Sequence, residues 1–442
     1  MSATLLSAWE TTVRAAPDAA ALIDAATGRT FSRAQLDALG RAWHAQHGYD
    51  LARQTVVLAE PNGAEWWTVL FGLLRADAVV APLDPGEPVA AQRATAAVIG
   101  AAFLWHRGAL ERIAPRPRRA RDNRRLLKLT SGSTGTPRAL AFTDAQMLAD
   151  GRHVCAGMGI RADDVNLGLI PLGHSYGLGN LVVPLLAQGT AIVVGAAPLP
   201  HAIAEATVRW QPTVFPAVPA LLRALTLADL SPQSLASLRT VISAGAPLAP
   251  EIATAFRARF GKKIHSFYGS SETGGITYDR TGDAALTGRS VGTALPGVRL
   301  TPGRAGTVTI TSDAVFTIGN RTPGSHRPKD RVAFTAEGEV VLLGRTGRTV
   351  KIAGRRLDLA EVERAFRALP GVRDAFVAPH TERAESLAAV VATDEPAEAL
   401  RTALRERIAA WKVPRKIVTL AAFPLTARGK ADTARLRALL NG

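Results

Sequence analysis

From Thr55 the chain reads TVVLAEP, then AEWWTVLFGLLRAD, then AVVAPLDP. A short β-branched run, a longer apolar stretch of helical length and a second short run follow one another. The same alternation recurs through most of the sequence, which predicts α/β layers. PEIATAFRARFG sets Ile252, Phe256 and Phe260 four apart, with Pro250 near the start and Gly261 at the stop. That is an amphipathic helix, and it leads into the strand KKIHSFYG. The apolar region Leu167 to Pro200, broken by Gly, Pro, His174 and Ser175, reads as buried strands and turns.

From about Gly344 the texture changes. Leu359, Val362, Phe366 and Leu369 share a helical face in LDLAEVERAFRAL; strand-like DAFVAP and LAAVVAT follow; Leu400, Leu404, Ile408 and Trp411 mark a second helix. These predict a compact α+β module, so the chain divides into a large domain over 1–344 and a small one over 345–442.

Between strand-like LLKL and the run beginning at Ala139 lies TSGSTGTPR, Thr130 to Arg138. Glycines let backbone N–H groups approach an anion and hydroxyls add donors, so a phosphate cradle is one reading and a flexible linker the other. The G-x-x-x-x-G-K-[ST] pattern is absent. Thr143 and Gln146 have capping-box spacing, which predicts a helix there and puts the loop between a strand and a helix. That placement favours phosphate.

Charge keeps another function class in view. Lysines and arginines outnumber acidic residues 53 to 37, a formal +16, enough to attract polyanions. Eight arginines fall between Arg107 and Arg125, opposed by Glu111 and Asp122. No interleaved aromatics and no helix-turn-helix, zinc or RNA-binding signature accompany them, so nucleic acid is not expected. The single cysteine, Cys155, excludes an internal disulfide and reads as a small buried hydrophobe. The start lacks a basic segment followed by a sustained apolar run, and no apolar stretch reaches about 18 residues. A cytoplasmic protein without a membrane span is expected.

Five separated motifs occur in order: TSGSTGTPR, YGSSETGG from Tyr268 to Gly275, PKDR around Asp330, GRTGRTVKIAGRRLDLAEVE from Gly344, and LTARGK ending at Lys430. Together they resemble the adenylate-forming superfamily, which includes acyl-CoA synthetases, adenylation domains of peptide synthetases and luciferases. The resemblance implies a large N-terminal AMP-binding domain and a small mobile C-terminal domain joined by a hinge. It implies ATP, Mg²⁺ and coenzyme A, or the phosphopantetheine of an acyl carrier protein. A carboxylate would be joined to AMP with loss of pyrophosphate, and a thiol would then displace AMP. An acyl-AMP ligase loading a carrier protein, and a non-catalytic polyanion-binding relative, are the alternatives.

The same resemblance assigns residues. Thr130, Ser131, Gly132, Ser133, Thr134 and Gly135 would wrap the β- and γ-phosphates, with Arg138 where lysine is usual. Glu272 would bind Mg²⁺. Tyr268 would stack on adenine opposite Gly245, Ala246 and Pro247, with Gly269 and Ser271 beside the nucleotide. Asp330 and Arg345 would hold the ribose, although PKD replaces the usual TGD. Lys430 would touch the attacking carboxylate and the α-phosphate. Gly347 falls at the hinge, where Asp or Lys is common, and Gly354 would line the thiol tunnel. His174, Tyr176, Asn180 and Gly269 would wall the acyl pocket. No counterpart of the aspartate that meets an amino acid's ammonium is found, which favours a plain carboxylic acid, aryl or aliphatic.

Overall fold

The computed structural model describes residues 3–114, 119–120, 122–131, 137–317, 324–345, 349–352, 355–380, 386–408, 410–426 and 429–441. It is a mixed α/β protein whose chain divides into two compact units. The first comprises 1–301, 309–326 and 336–340; the second comprises 302–308, 327–335 and 341–442.

Two sheets carry the first unit. In chain order their strands are β1 (Ala20–Asp24), β2 (Thr30–Ser32), β3 (Thr55–Ala59), β4 (Val79–Pro82), β5 (Phe103–His106), β6 (Ala109–Arg112), β7 (Arg124–Ser131) and β8 (Pro137–Thr143), then β9 (Val165–Leu167), β10 (Ala191–Val194), β11 (Val214–Ala217), β12 (Thr240–Ser243), β13 (Ile264–Ser270), β14 (Gly274–Tyr278) and β15 (Thr293–Ala294). One sheet has the order β6-β5-β3-β4-β7-β8, the other β15-β14-β13-β12-β11-β9-β10-β1-β2. The centres of both are parallel: β3 pairs with β4 and β5, and β9, β10, β11, β12 and β13 run together. Parallel strands buried on both faces call for unbroken apolar runs, and β4, β10, β11 and β12 are buried at every position.

The predicted elements around TVVLAEP form as β3, a helix over Ala64–Arg75 and β4, and PEIATAFRARF forms a helix over Pro250–Phe260 closed by left-handed Gly261. Three expectations are corrected. The phosphate loop does not sit between a strand and a helix: β8 intervenes, pairing antiparallel with β7 from Ser131↔Pro137 to Arg124↔Thr143. The capping box of Thr143 and Gln146 does form, but it opens the Asp144–Met158 helix at the far end of β8. Period-2 alternation in PRALAFT, with Leu140 and Phe142 buried at 0% exposure, is the signal for that strand.

Leu167 to Pro200 is not all strand and turn either. Ser175 to Gln188 is helical, with a π turn at Leu178–Val182 and Pro184 inside the first turn of Val183–Gln188, where a missing N–H is tolerated. Unbroken burial from Gly177 to Leu186 erased the helical period.

In the second unit, helix Leu359–Arg367 buries Leu359, Val362 and Phe366, and Leu369 packs beyond its end. Gly344, at φ +112, lies where a Cβ would come within 2.6 Å of Ala360 Cβ, so only glycine lets that helix pack so closely. Strands Asp374–Pro379 and Leu387–Ala392 pair antiparallel, and Lys416–Leu420 adds in parallel. The second predicted helix stops at Arg405; Trp411 lies in a separate 3-10 turn, Ala410–Lys412. Helix Thr433–Asn441 closes the other face of this sheet with Leu436 and Leu440 against Phe376 and Val390.

Candidate active site

In open parallel sheets, ligands collect at the carboxyl ends of the strands. β12 and β13 are neighbours, paired through Ser243↔Ser266, and run out into Ala244 to Pro247 and Tyr268 to Glu272 respectively. Gly245 turns there at φ +85. A register shift between Tyr268 and Gly269 puts a bulge at the same edge, a device that re-aims side chains. A Cβ on Gly269 would meet Gly274 O at 2.7 Å, so glycine is needed for the return strand to pass.

Glu272 occupies the turn between β13 and β14. Ser270 and Thr273 hydroxyls bond across that turn at 2.9 Å, and the Glu272 carbonyl accepts the Phe316 N–H at 2.7 Å. Its half-buried carboxylate is one hard oxygen group, and no cluster of three ligating side chains occurs among the described residues. Such a donor fits Mg²⁺ only when substrate phosphates complete the coordination.

The candidate acyl wall reaches the same edge. Ser175 Oγ donates to Ser271 Oγ at 2.9 Å, and the Tyr176 ring lies 5.8 Å from that of Phe267. Tyr176 donates its hydroxyl to the Ala217 carbonyl at the end of β11 (3.4 Å), and burial pushes the phenol well above its ordinary range. His174 caps the short helix: its Nδ1 accepts the Tyr176 N–H at 3.4 Å. Asn180 is buried in the π turn, and its Oδ1 has no hydrogen-bond partner.

On the phosphate hairpin, Thr130 donates through Oγ1 to the Arg138 carbonyl at 3.4 Å, and Arg138 is exposed. Gly132, Ser133, Thr134 and Gly135 lie outside the described residues, as do Gly347 and Gly354; of Ser131 and Arg345 only the backbone is described. His326 is a residue that sequence reasoning missed. Burial is the main force holding its imidazole below the ordinary 6.5; Glu272 raises it and Arg138 lowers it. Both charges therefore act on one half-buried ring, on a strand paired to Ile310.

Two other predicted residues lie in the second unit. Asp330 opens strand Asp330–Phe334. Lys430 sits on a tight turn: Thr426 N–H donates to its carbonyl at 2.7 Å, its own N–H donates to Thr426 Oγ1 at 3.3 Å, and a Leu425↔Ala431 bridge closes the base.

Residues 106–301 match the AMP-binding enzyme family and residues 361–430 match the AMP-binding enzyme C-terminal domain. The chain belongs to the AMP-binding, adenylate-forming superfamily. Within it, benzoate–CoA ligase of Thauera aromatica is 31% identical over 341 residues, 70% of this chain and 64% of that ligase. L-proline–[L-prolyl-carrier protein] ligase of Streptomyces coelicolor is 28% identical over 375 residues, 75% of this chain and 69% of that protein. Among solved structures, ATP-bound MatB from Rhodopseudomonas palustris superposes with a TM-score of 0.84 at 21% identity, covering 99% of both chains. That likeness places the adenylate-forming fold over the whole chain.

The superfamily motifs account for the two hairpins but not for the pair between them. Lys128 and Asp150, both buried, are a second omission of the sequence reading. A lysine inside the apolar strand LLKLT was the available signal, since a buried lysine needs a partner; the partner, 22 residues on, had none. An open cavity of about 800 Å³ lined by Thr143, Gln146, Ser312 and Asp313 lies at the end of β8 away from the phosphate loop. Gln146 is already engaged there with Val315 O and Thr143 N. Among the described residues no helix is long and apolar enough to cross a membrane.

Proposed function

We propose that this chain activates a carboxylic acid with ATP, releasing pyrophosphate, and passes the acyl group from the acyl-adenylate to a thiol. The observation that carries the reading is the match of residues 106–301 and 361–430 to the two AMP-binding enzyme families, with Ser271, beside Glu272, bonded to Ser175 of the candidate acyl wall. The hard carboxylate and the acyl-facing segment are then neighbours in the proposed site.

Adenylation brings an anionic nucleophile to a polyanionic electrophile, so positioning and charge neutralisation must supply most of the rate. A carboxylate oxygen attacks the α-phosphorus, and the bond to the bridging oxygen breaks with pyrophosphate leaving. Thr130 and the residues through Gly135 would donate to the β- and γ-phosphates, and Arg138 would add a fork-shaped cation. Glu272 would hold Mg²⁺ together with phosphate oxygens, and the ion would neutralise charge on the departing pyrophosphate. Tyr268 and Gly245 to Pro247 would enclose adenine, while Asp330 and Arg345 would bind ribose. Lys430 Nζ would offset repulsion between the carboxylate and the α-phosphate. We keep a domain boundary at 344/345, Gly347 as hinge and Gly354 beside the thiol path as parts of this proposal.

An aryl acid is the first substrate to test, because the benzoate ligase is a relative and Tyr176 and Phe267 supply aromatic walls. Coenzyme A and a carrier protein are both acceptors of relatives, by the names of the benzoate and prolyl-carrier ligases. The polyanion-binding reading loses support because Arg119, Arg124 and Arg125 pair with Asp50, with Asp122, and with Asp77 and Asp144.

The test is exchange of labelled pyrophosphate into ATP across aryl, aliphatic and amino acids. Acid-dependent exchange is expected, reduced about 10²- to 10³-fold in Lys430→Ala. No exchange with any acid, or an unaffected Lys430→Ala, overturns the proposal. Coenzyme A and a carrier protein compared side by side identify the acceptor.

A further inference from the structure

Asp150, 2% exposed, lies where three separated segments meet. Its Oδ1 accepts the Gly275 N–H at 2.9 Å, three residues after Glu272. Its Oδ2 faces Lys128 Nζ at 3.4 Å, two residues before Thr130, and that ammonium also lies 4.3 Å from the Phe142 ring on β8. The third segment is the π turn behind the acyl wall, where a Cβ on Gly179 would fall 3.1 Å from Oδ2. Gly274 stands at φ +70, and a Cβ there would overlap Oδ1 at 2.2 Å, so the turn is shaped to admit the carboxylate.

A lysine and an aspartate are costly to bury, and a well-packed apolar pair often serves stability as well or better. Stability alone therefore gives little reason for the pair. We propose that Asp150, neutralised by Lys128, is the positioning residue that holds the Glu272 turn in register with the phosphate hairpin. Lys128 anchors both strands of that hairpin, through Asp150 and through Phe142, while Asp150 anchors the backbone of the metal-binding turn. The inference rests on the adenylating reading of the same site. A metal ligand's outer partners set its orientation, and losing one costs about 10- to 100-fold in metal affinity.

The test uses pairs of substitutions that leave no buried charge alone. K128M/D150N keeps an acceptor for Gly275 N–H; K128M/D150L removes it. We expect K128M/D150L to exchange pyrophosphate about 10²-fold more slowly than K128M/D150N. Its half-saturating Mg²⁺ should be about 10-fold higher, with the KM for the acid unmoved. A purely structural pair would change melting temperature without moving the Mg²⁺ requirement. If K128M/D150L does not fold, K128M/D150S, whose shorter side chain admits water, carries the same comparison. Equal rates and equal Mg²⁺ requirements in folded variants overturn the proposal. Mg²⁺-dependent ATP binding, measured by calorimetry, gives the comparison without turnover. Wild-type protein lacking exchange with any acid defeats the adenylating reading instead.

Discussion

Gly274→Ala isolates the crowding around Asp150. The residue stands at φ +70, and an added Cβ would lie 2.2 Å from Asp150 Oδ1 and 2.4 Å from its Cγ. Holding an L-residue in the left-handed region costs about 1–2 kcal/mol. Displacing Asp150 breaks its bond to Gly275 N–H, and a hydrogen bond to a charged acceptor is worth about 1.5–3 kcal/mol. The sum is a destabilisation of about 2.5–5 kcal/mol. Gly261→Ala is the control, because Gly261 has nearly the same φ, +66, with no atom within 4 Å of the added Cβ. It should cost only the backbone penalty, about 1–2 kcal/mol. Urea unfolding followed by tryptophan fluorescence reads the first unit, which holds Trp9, Trp43, Trp66, Trp67, Trp105 and Trp210. A Gly274→Ala midpoint no lower than that of Gly261→Ala refutes the crowding argument.

Burial lowers the His326 pKa below 6.5 in the folded protein, so the unfolded chain binds that proton more tightly. Stability should therefore fall as pH drops below that ordinary value, and His326→Asn should flatten the fall in melting temperature between neutral pH and about pH 5; an unchanged slope contradicts the assignment. Burial also pushes the Cys155 thiol up to about 12, so a thiol reagent at neutral pH should label it only after denaturant is added. Phe366→Ala empties a site of 0% exposure and should cost the second unit about 3–5 kcal/mol, seen as early proteolysis within 345–442 while the first unit's fluorescence transition stays in place.

Legibility in the sequence followed the reach of each interaction. The helix at Leu359 was readable because its apolar stripe is local, as were β3, β4 and the Thr143 capping box. Ser175 to Gln188 was missed because unbroken burial from Gly177 to Leu186 leaves no polar face to mark a period. The phosphate loop's setting was misread because β8 is flanked by a loop and a cap, each a stronger local signal than alternation in PRALAFT. The motifs nominated Thr130, Arg138 and Glu272 in the first unit and Lys430 in the second. The Asp150 carboxylate acts through a hydrogen bond to Gly275, 125 residues away, and the charge of Glu272 acts on His326 from 54 residues away, and no local pattern announces either.

The phosphate segment joins β7 to β8, and β8 is the outermost strand of its sheet. A linker between a strand and a crossover helix is tied to the helix's docking, so changing its length drags a core layer with it. Here the segment closes a hairpin instead: ladder bonds to β7 set β8's register, and Leu140 and Phe142 fix β8 in the core beyond the segment. The stretch is in that sense an exchangeable cartridge. If the proposed function holds, versions of different length or donor content spliced between Ser131 and Pro137 should change nucleotide affinity while the β7–β8 ladder keeps its register.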